Sequence, residues 1–176
     1  MIACPSGEES LRRFSLFAAL FICLVAQPGV GAQDNTRKGN TIIGTWKLVS
    51  YQVEVQATGQ KLPAMGDKPT GYATFLPEGR VFFVLTGEDR KPAKSDRERA
   101  GLLDTLVAYT GTYRIEGDTW TTDVDAAWNP EWVGTKQVRS FKLEGDRLDV
   151  VTPWRLMPNW ADKGMTRSII TFERSK

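Results

Sequence analysis

The stretch Ile42 to Val55 (IIGTWKLVSYQVEV) alternates in character and is rich in β-branched and aromatic residues, which predicts one long strand. Outward from it the same signal returns at short intervals. Gly71 to Leu76 and Arg80 to Leu85 flank Pro77-Glu78-Gly79, a hairpin in which Gly79 can adopt positive φ. Tyr109 to Glu116 turns at Gly117-Asp118 and returns from Thr119 to Ala126. Lys136 to Leu143 and Arg147 to Thr152 flank Glu144-Gly145-Asp146, and Met165 to Glu173 ends the series.

Between these runs the chain reads as turns and loops: Thr58-Gly59-Gln60, Pro63 to Pro69, and a Trp-Asn-Pro-Glu-Trp segment from Trp128 to Trp132. One helix interrupts the strands. Ser95-Asp96-Arg97-Glu98 fits a capping box, and Leu102, Leu103, Leu106 and Val107 then fall on one helical face. About eight mostly hairpin-linked strands predict an all-β fold, an antiparallel up-and-down barrel with one short helix. Closure leaves no exposed edge, and about eight strands enclose a space that side chains fill or that holds one small ligand.

The segment before this domain has a different composition. Arg12 and Arg13 precede an apolar run from Phe14 to Ala26, then Pro28-Gly29, then the small residues Val30-Gly31-Ala32. That is the order of a secretion signal, so residues 1–32 are expected to be removed after Ala32 and the protein to be secreted or periplasmic. Residues 33–41 are expected to form a flexible leader, and 42–176 the folded domain. Cys4 and Cys23 both fall in the signal segment, which leaves the mature chain without a thiol for a disulfide, a nucleophile or a metal site. The net charge of +2 survives the cut, because the segment carries two acids and two bases.

The chain contains no histidine. The commonest general base near neutral pH and the commonest metal ligand are therefore missing, and with them Ser-His-Asp hydrolysis, Cys-His catalysis and His-ligated zinc chemistry. Lys and Arg are dispersed among acids rather than gathered in a stripe, which argues against a nucleic-acid partner. No stretch approaches the length of a spanning helix, so no integral membrane segment is expected after signal removal. No phosphate loop, dinucleotide fingerprint or calcium-loop spacing is present, so no cofactor or metal is expected. Nothing in the residues sets an oligomeric state.

Gly44-Thr45-Trp46 at the start of the first strand resembles the Gly-x-Trp signature of lipocalins and other calycin barrels. An ordered series extends the likeness: Gly44 to Ser50, Gly71-Tyr72, Ala108 to Tyr113, Asn129 to Thr135, Val138 to Phe141 and Gly145 to Leu148. Together these resemble the bacterial and fungal lipocalin-like domain family from about residue 42 to the end. The resemblance implies a barrel with a cavity, in which Trp46 plugs one end and a basic residue of the last strand lies across it. Arg174 is the first candidate for that residue and Arg167 the second. Members of the family often carry histidines on the strand before the Asn-Pro loop, where this chain has Thr122 and Asp123, so histidine-dependent chemistry is not carried over.

Strand phase nominates the interior groups. On Gln137 to Leu143, the set Gln137, Arg139, Phe141 and Leu143 points inward and brings Arg139 with it. A buried arginine needs a partner, and Asp123 and Asp125 on the preceding strand are its obvious counter-ions; the alternative is that they face solvent, with Trp120, Thr122 and Val124 forming the inward face of that strand and Arg139 a structural or rim residue. Tyr109 and Tyr113 share a face expected to point inward. Trp128, Trp132, Trp154 and Trp160 sit in or beside loops, suiting a rim around an opening or a partner-binding patch, or equally satellites of the core packed under the loops.

The expected activity is binding of a small, mainly apolar molecule with a polar or anionic end. Its expected contacts are Arg139, Gln137, Tyr109, Tyr113, Asp123, Asp125 and Trp128, with Trp46 and Arg174 structural. One alternative is an isomerase or cyclase that moves a proton with Asp123 or Asp125, aided by Tyr113 and Arg139. Another is a non-enzymatic interaction module that presents its tryptophans to a partner.

Overall fold

Strand β1 (Gly44–Val55) carries the closure of the whole barrel, because it pairs with neighbours on both sides. On one side it meets β3 (Thr70–Phe75), and from there consecutive antiparallel pairings run through β4 (Arg80–Thr86), β5 (Leu106–Glu116), β6 (Thr119–Ala127), β7 (Lys136–Glu144) and β8 (Arg147–Val151). The last long strand, β10 (Met165–Arg174), pairs with β8 and returns to β1, with Trp46 opposite Arg174 and Val55 opposite Thr166. Eight strands thus form a closed antiparallel barrel in up-and-down order, and every long strand has two neighbours. The structure is a computed structural model that describes residues 41–176. The expected signal segment 1–32, and residues 33–40 of the expected leader, lie outside the described residues.

Two further strands are very short. β2 (Lys61–Pro63) pairs with β1 at Gln52 to Glu54, and β9 (Arg155–Leu156) pairs with β10 at Met165 and Thr166. Neither was legible in the sequence. Pro63 has no N–H to donate to a ladder, and it is tolerated here because β2 has β1 alone as a neighbour. Both short strands lie at the same end of the barrel, flanking the late part of β1 and the early part of β10.

The helix α1 (Asp96–Asp104) begins as expected, with Ser95 Oγ accepting from the Glu98 amide and Glu98 reaching back to the Ser95 amide. It ends sooner than the leucine spacing suggested. Leu106 and Val107 belong to β5, where they face Thr86 and Leu85 of β4. The sheet ladder there satisfies backbone groups that a further helical turn would satisfy only locally, and α1 itself buries no residue.

The interior is built from alternate residues of the eight strands. Trp46, Phe75, Val81, Leu85, Trp120, Leu148 and Phe172 are fully or almost fully buried. Phase is not constant along β1. Trp46 and Leu48 are buried at even positions, a register shift follows between Leu48 and Ser50, and Val53 and Val55 are then buried at odd positions. One slipped residue exchanges the two faces of a strand, so the shift turns Tyr51 and Val53 toward the interior of the other half. A second shift lies between Thr110 and Gly111 of β5, where Asp125 of β6 is the extra residue. Gly111 is required there, since a Cβ would run into the carbonyl oxygen of Asp123.

Candidate ligand cavity

The two ends of the barrel differ in chemistry. At one end Trp46 is wholly buried, its indole nitrogen donates to the Ile42 carbonyl at 2.7 Å, and the Arg174 guanidinium lies 4.2 Å over its ring. Arg174 is held in place by donating to the carbonyls of Ile43 (3.1 Å) and Thr41 (2.8 Å). Phe75 packs edge-on against Tyr113, Phe83 and Trp120, which fills the space above the plug.

The other end is hollow. A cavity of about 650 Å³ is bounded by Tyr51 and Val53 of β1, Met65 after β2, Leu106 and Val107 of β5, and the loop from Trp128 to Trp132. Arg155, Met157 and Trp160 complete its far wall, and Gln137 lies at its inner side. That volume lies within the range of sites that hold small organic molecules. Beneath it a void of about 20 Å³ reaches Arg139, Trp120, Thr152 and Phe172, with Tyr51, Val107 and Trp132 shared between the two spaces.

A family model described as the lipocalin-like domain matches residues 43–175. The chain belongs to the lipocalin-like domain family. A search of the curated proteins finds no match. The match spans the barrel from the Gly44-Thr45-Trp46 closure to Arg174, so this lipocalin-like barrel includes both the plugged end and the cavity.

Within it, Arg139 sits where strand phase placed it, pointing inward and 6% exposed. Its terminal nitrogens donate to the Val138 carbonyl at 2.7 Å and to Gln137 Oε1 at 3.1 Å. Gln137 Nε2 donates to Thr135 Oγ1 at 2.9 Å, and the Thr135 hydroxyl donates to the Trp132 carbonyl at 2.7 Å. A polar chain therefore runs from the buried guanidinium to the loop that walls the cavity. Tyr109 is buried beside it, stacked on Phe83 at 4.6 Å and edge-on to Trp132 at 5.4 Å. Burial pushes the Tyr109 phenol up to about 12 against the opposing pull of Arg139, so the hydroxyl stays protonated and able to donate.

Asp123 and Asp125 are not brought to this site. Asp123 faces outward between Arg114, at 2.9 Å, and Lys136. Asp125 faces outward in a two-pronged pair with Arg80, its oxygens at 3.2 and 2.9 Å. The cause is strand phase: Trp120, Thr122 and Val124 take the inner face of β6, and the cations of β4, β5 and β7 take the carboxylates outside. Both carboxyls are held below their ordinary range, chiefly by hydrogen bonds from Lys136 and from Arg80 respectively. Of the two placements open for these carboxylates the outward one is found, and Arg139 is a buried arginine held by amide and carbonyl oxygens, so Asp123 and Asp125 are corrected from cavity contacts to outer-face residues. Tyr113 is also separated from the cavity. It lies at the plugged end, its hydroxyl donating to the Leu76 carbonyl at 3.1 Å.

Trp128 lines the cavity and meets Trp132 edge-on at 4.6 Å. Trp132 and Trp160 also line it, whereas Trp154 lies under the Arg167 guanidinium at 4.4 Å. Three of the four loop tryptophans thus line the cavity. Sequence reading passed over Arg155 and Tyr51. Arg155 lies two residues beyond Pro153, where strand alternation stops and no phase can be assigned. Tyr51 lies beyond the register shift of β1, and the run Tyr51, Val53, Val55 was the one sign of that change of face.

Among the described residues no group of histidine, cysteine and acid side chains is placed to hold a metal, and no helix is long and apolar enough to cross a membrane.

Proposed function

We propose that this lipocalin-like barrel is exported and binds one small, mainly apolar molecule in its cavity, with the polar end of the molecule toward Arg139. The observation that carries this reading is the asymmetry of the barrel, plugged by Trp46 at one end and hollow over about 650 Å³ at the other. The wall is largely apolar and aromatic, formed by Val53, Met65, Leu106, Val107, Trp132 and Trp160, which favours a hydrocarbon body through burial of its surface. Gln137 at the inner side and Arg155 on the far wall would orient the molecule rather than supply most of its affinity. Export is supported by the order of charged, apolar and small residues from Arg12 to Ala32.

The test is to express the full chain, recover the secreted or periplasmic protein, denature it and analyse the extract by mass spectrometry. A protein beginning at Gln33 that releases a small apolar compound, and rebinds it saturably, is the expected result. A protein retained in the cytoplasm with its first residues intact overturns the export reading. An interior that releases nothing and takes up no apolar dye overturns the binding reading.

A further inference from the structure

Strand β4 reads Arg80-Val81-Phe82-Phe83-Val84-Leu85-Thr86, with an unbroken apolar run at its centre. A strand with one face in water alternates apolar and polar residues, whereas a continuous run belongs to a strand covered on both faces. Val81, Phe83 and Leu85 supply the inner face and are buried in the core. Phe82 and Val84 point outward and remain exposed, Val84 to 55%. The neighbouring strands continue this outer face. Tyr72 of β3 lies directly opposite Val84 and is also exposed, and Ala108 of β5 lies opposite Val84 on the other side. None of these residues lines the cavity or the void beneath it.

The polar groups around this face are already satisfied within the chain. Thr86 donates to the Thr70 carbonyl at 3.3 Å, Thr110 donates to the Val81 carbonyl at 2.8 Å, and the hydroxyls of Thr45 and Thr74 meet at 3.3 Å. Charge at the margins is paired too, Lys47 with Glu173 at 3.5 Å on one side and Arg80 with Asp125 on the other. The outer face of β6, β7 and β8 differs, presenting Asp123, Lys136, Lys142 and Arg147 to water. A sugar chain needs hydrogen-bonding groups that the apolar face lacks, and an anionic polymer needs unpaired cations. Barrel closure removes another route, because no long strand offers a free edge to a partner. Residues 33–40 are polar and supply no apolar cover. A surface of the same chemistry fits best: an apolar centre, internally bonded hydroxyls, and margins that each carry both signs.

We propose that the outer face of β3, β4 and β5 is a two-fold interface between two copies of this chain, with Tyr72, Phe82 and Val84 of each against those of the other. A two-fold axis lays the patch onto itself, so one surface supplies both halves. With the axis along the strands, the Lys47–Glu173 pair of one copy faces the Arg80–Asp125 pair of the other, and every cation there meets an anion. Strand spacing and rise make the flat extent of the face roughly 300 Å². That is well below the ~800 Å² per partner of a standard interface, so the dimer is weak and forms with rising concentration. The face lies on the flank of the barrel, and both cavities stay open.

The experiment is sedimentation velocity on the protein recovered from expression of the full chain, over a concentration series from about 5 to about 500 μM. A monomer–dimer equilibrium with a micromolar dissociation constant is expected. Val84→Glu sets like charges against each other across the axis, and Tyr72→Lys does so from the facing strand β3. Each is expected to weaken the dimer at least about tenfold. Both side chains point to water in the single chain, so the circular dichroism spectrum should stay unchanged. Val138→Glu, also outward but on β7, is expected to leave the equilibrium as it was. A monomer at every concentration overturns the proposal, as does growth beyond a dimer. A dimer undiminished in Val84→Glu and Tyr72→Lys, or weakened equally by Val138→Glu, puts the contact elsewhere and overturns it as well. Binding of the wild type to phosphatidylcholine vesicles that is lost in Val84→Glu gives the face to a lipid surface and overturns the second copy as its occupant.

Discussion

The Arg174 guanidinium lies 4.2 Å over the ring of Trp46, and the two residues are also direct partners across the seam where β10 meets β1. The contact joins the first and last long strands at the point where the barrel closes. Trp46→Ala is expected to cost about 3–5 kcal/mol of stability, the range for emptying a large aromatic site. Arg174→Ala is expected to cost about 1 kcal/mol, because the indole stays buried. Urea unfolding followed by circular dichroism checks both, and a larger loss for Arg174→Ala than for Trp46→Ala would contradict this division of roles.

Asp123 and Asp125 are on the outer face, so Asp123→Asn and Asp125→Asn are expected to leave ligand affinity unchanged. Each should alter stability only slightly, as exposed ion pairs do. A dye titration beside a thermal melt reads both quantities. A marked loss of affinity in either variant would mean that these carboxylates reach the cavity after all.

Stability should be nearly flat from about pH 5 to 9, because the chain has no histidine to titrate there. The carboxyls of Asp123, Asp125 and Asp149 are held below their ordinary value of 3.8 in the fold. For Asp149, burial opposes this, while hydrogen bonds from Arg147 and Thr171 and nearby positive charge prevail. Below that value the unfolded chain binds more protons than the folded one, so their contribution is present above it and lost as pH falls through the folded values. At the alkaline end Tyr109 ionises from about pH 10 in the unfolded chain but near 12 in the fold, so stability is lost as pH rises above 10. Urea midpoints across pH 3 to 11 should trace this plateau with two falling edges; a step near pH 6 to 7 would contradict it.

Gly111→Ala is expected to destabilise the barrel by about 1–3 kcal/mol, since the new methyl group meets the Asp123 backbone at the bulge. Ala at Gly117, a turn with open space around it, isolates the cost of positive φ without a clash and serves as the comparison. Chemical denaturation of the pair gives the difference.

Much of the barrel was legible from local signals. Hairpin turns at Gly79, Gly117 and Gly145 bracket the strands, and alternation along β7 assigns Gln137 and Arg139 to the interior. What escaped reading depended on contacts distant in sequence. The shift between Leu48 and Ser50 is set by pairing with β10, more than a hundred residues away, and it decides that Tyr51 faces the cavity. Leu106 and Val107 carried helical spacing, yet their β4 partners drew them into a strand. Arg155 lies past Pro153 in a segment whose two-residue strand exists only because β10 is there to pair with it. Asp123 and Asp125 were candidates because they lie on the strand before Arg139, and the opposite phase of β6 sends them outward to Lys136, Arg114 and Arg80.

The cavity itself is tested most directly by energy transfer from its own wall. Trp128, Trp132 and Trp160 line the hollow end, so Nile red bound there should be excited through tryptophan. Saturation at one dye per chain is expected, with the signal lost on displacement by excess dodecanol while the circular dichroism spectrum stays unchanged. No saturable transfer, or transfer undiminished by dodecanol in large excess, would contradict an open apolar cavity at this end of the barrel.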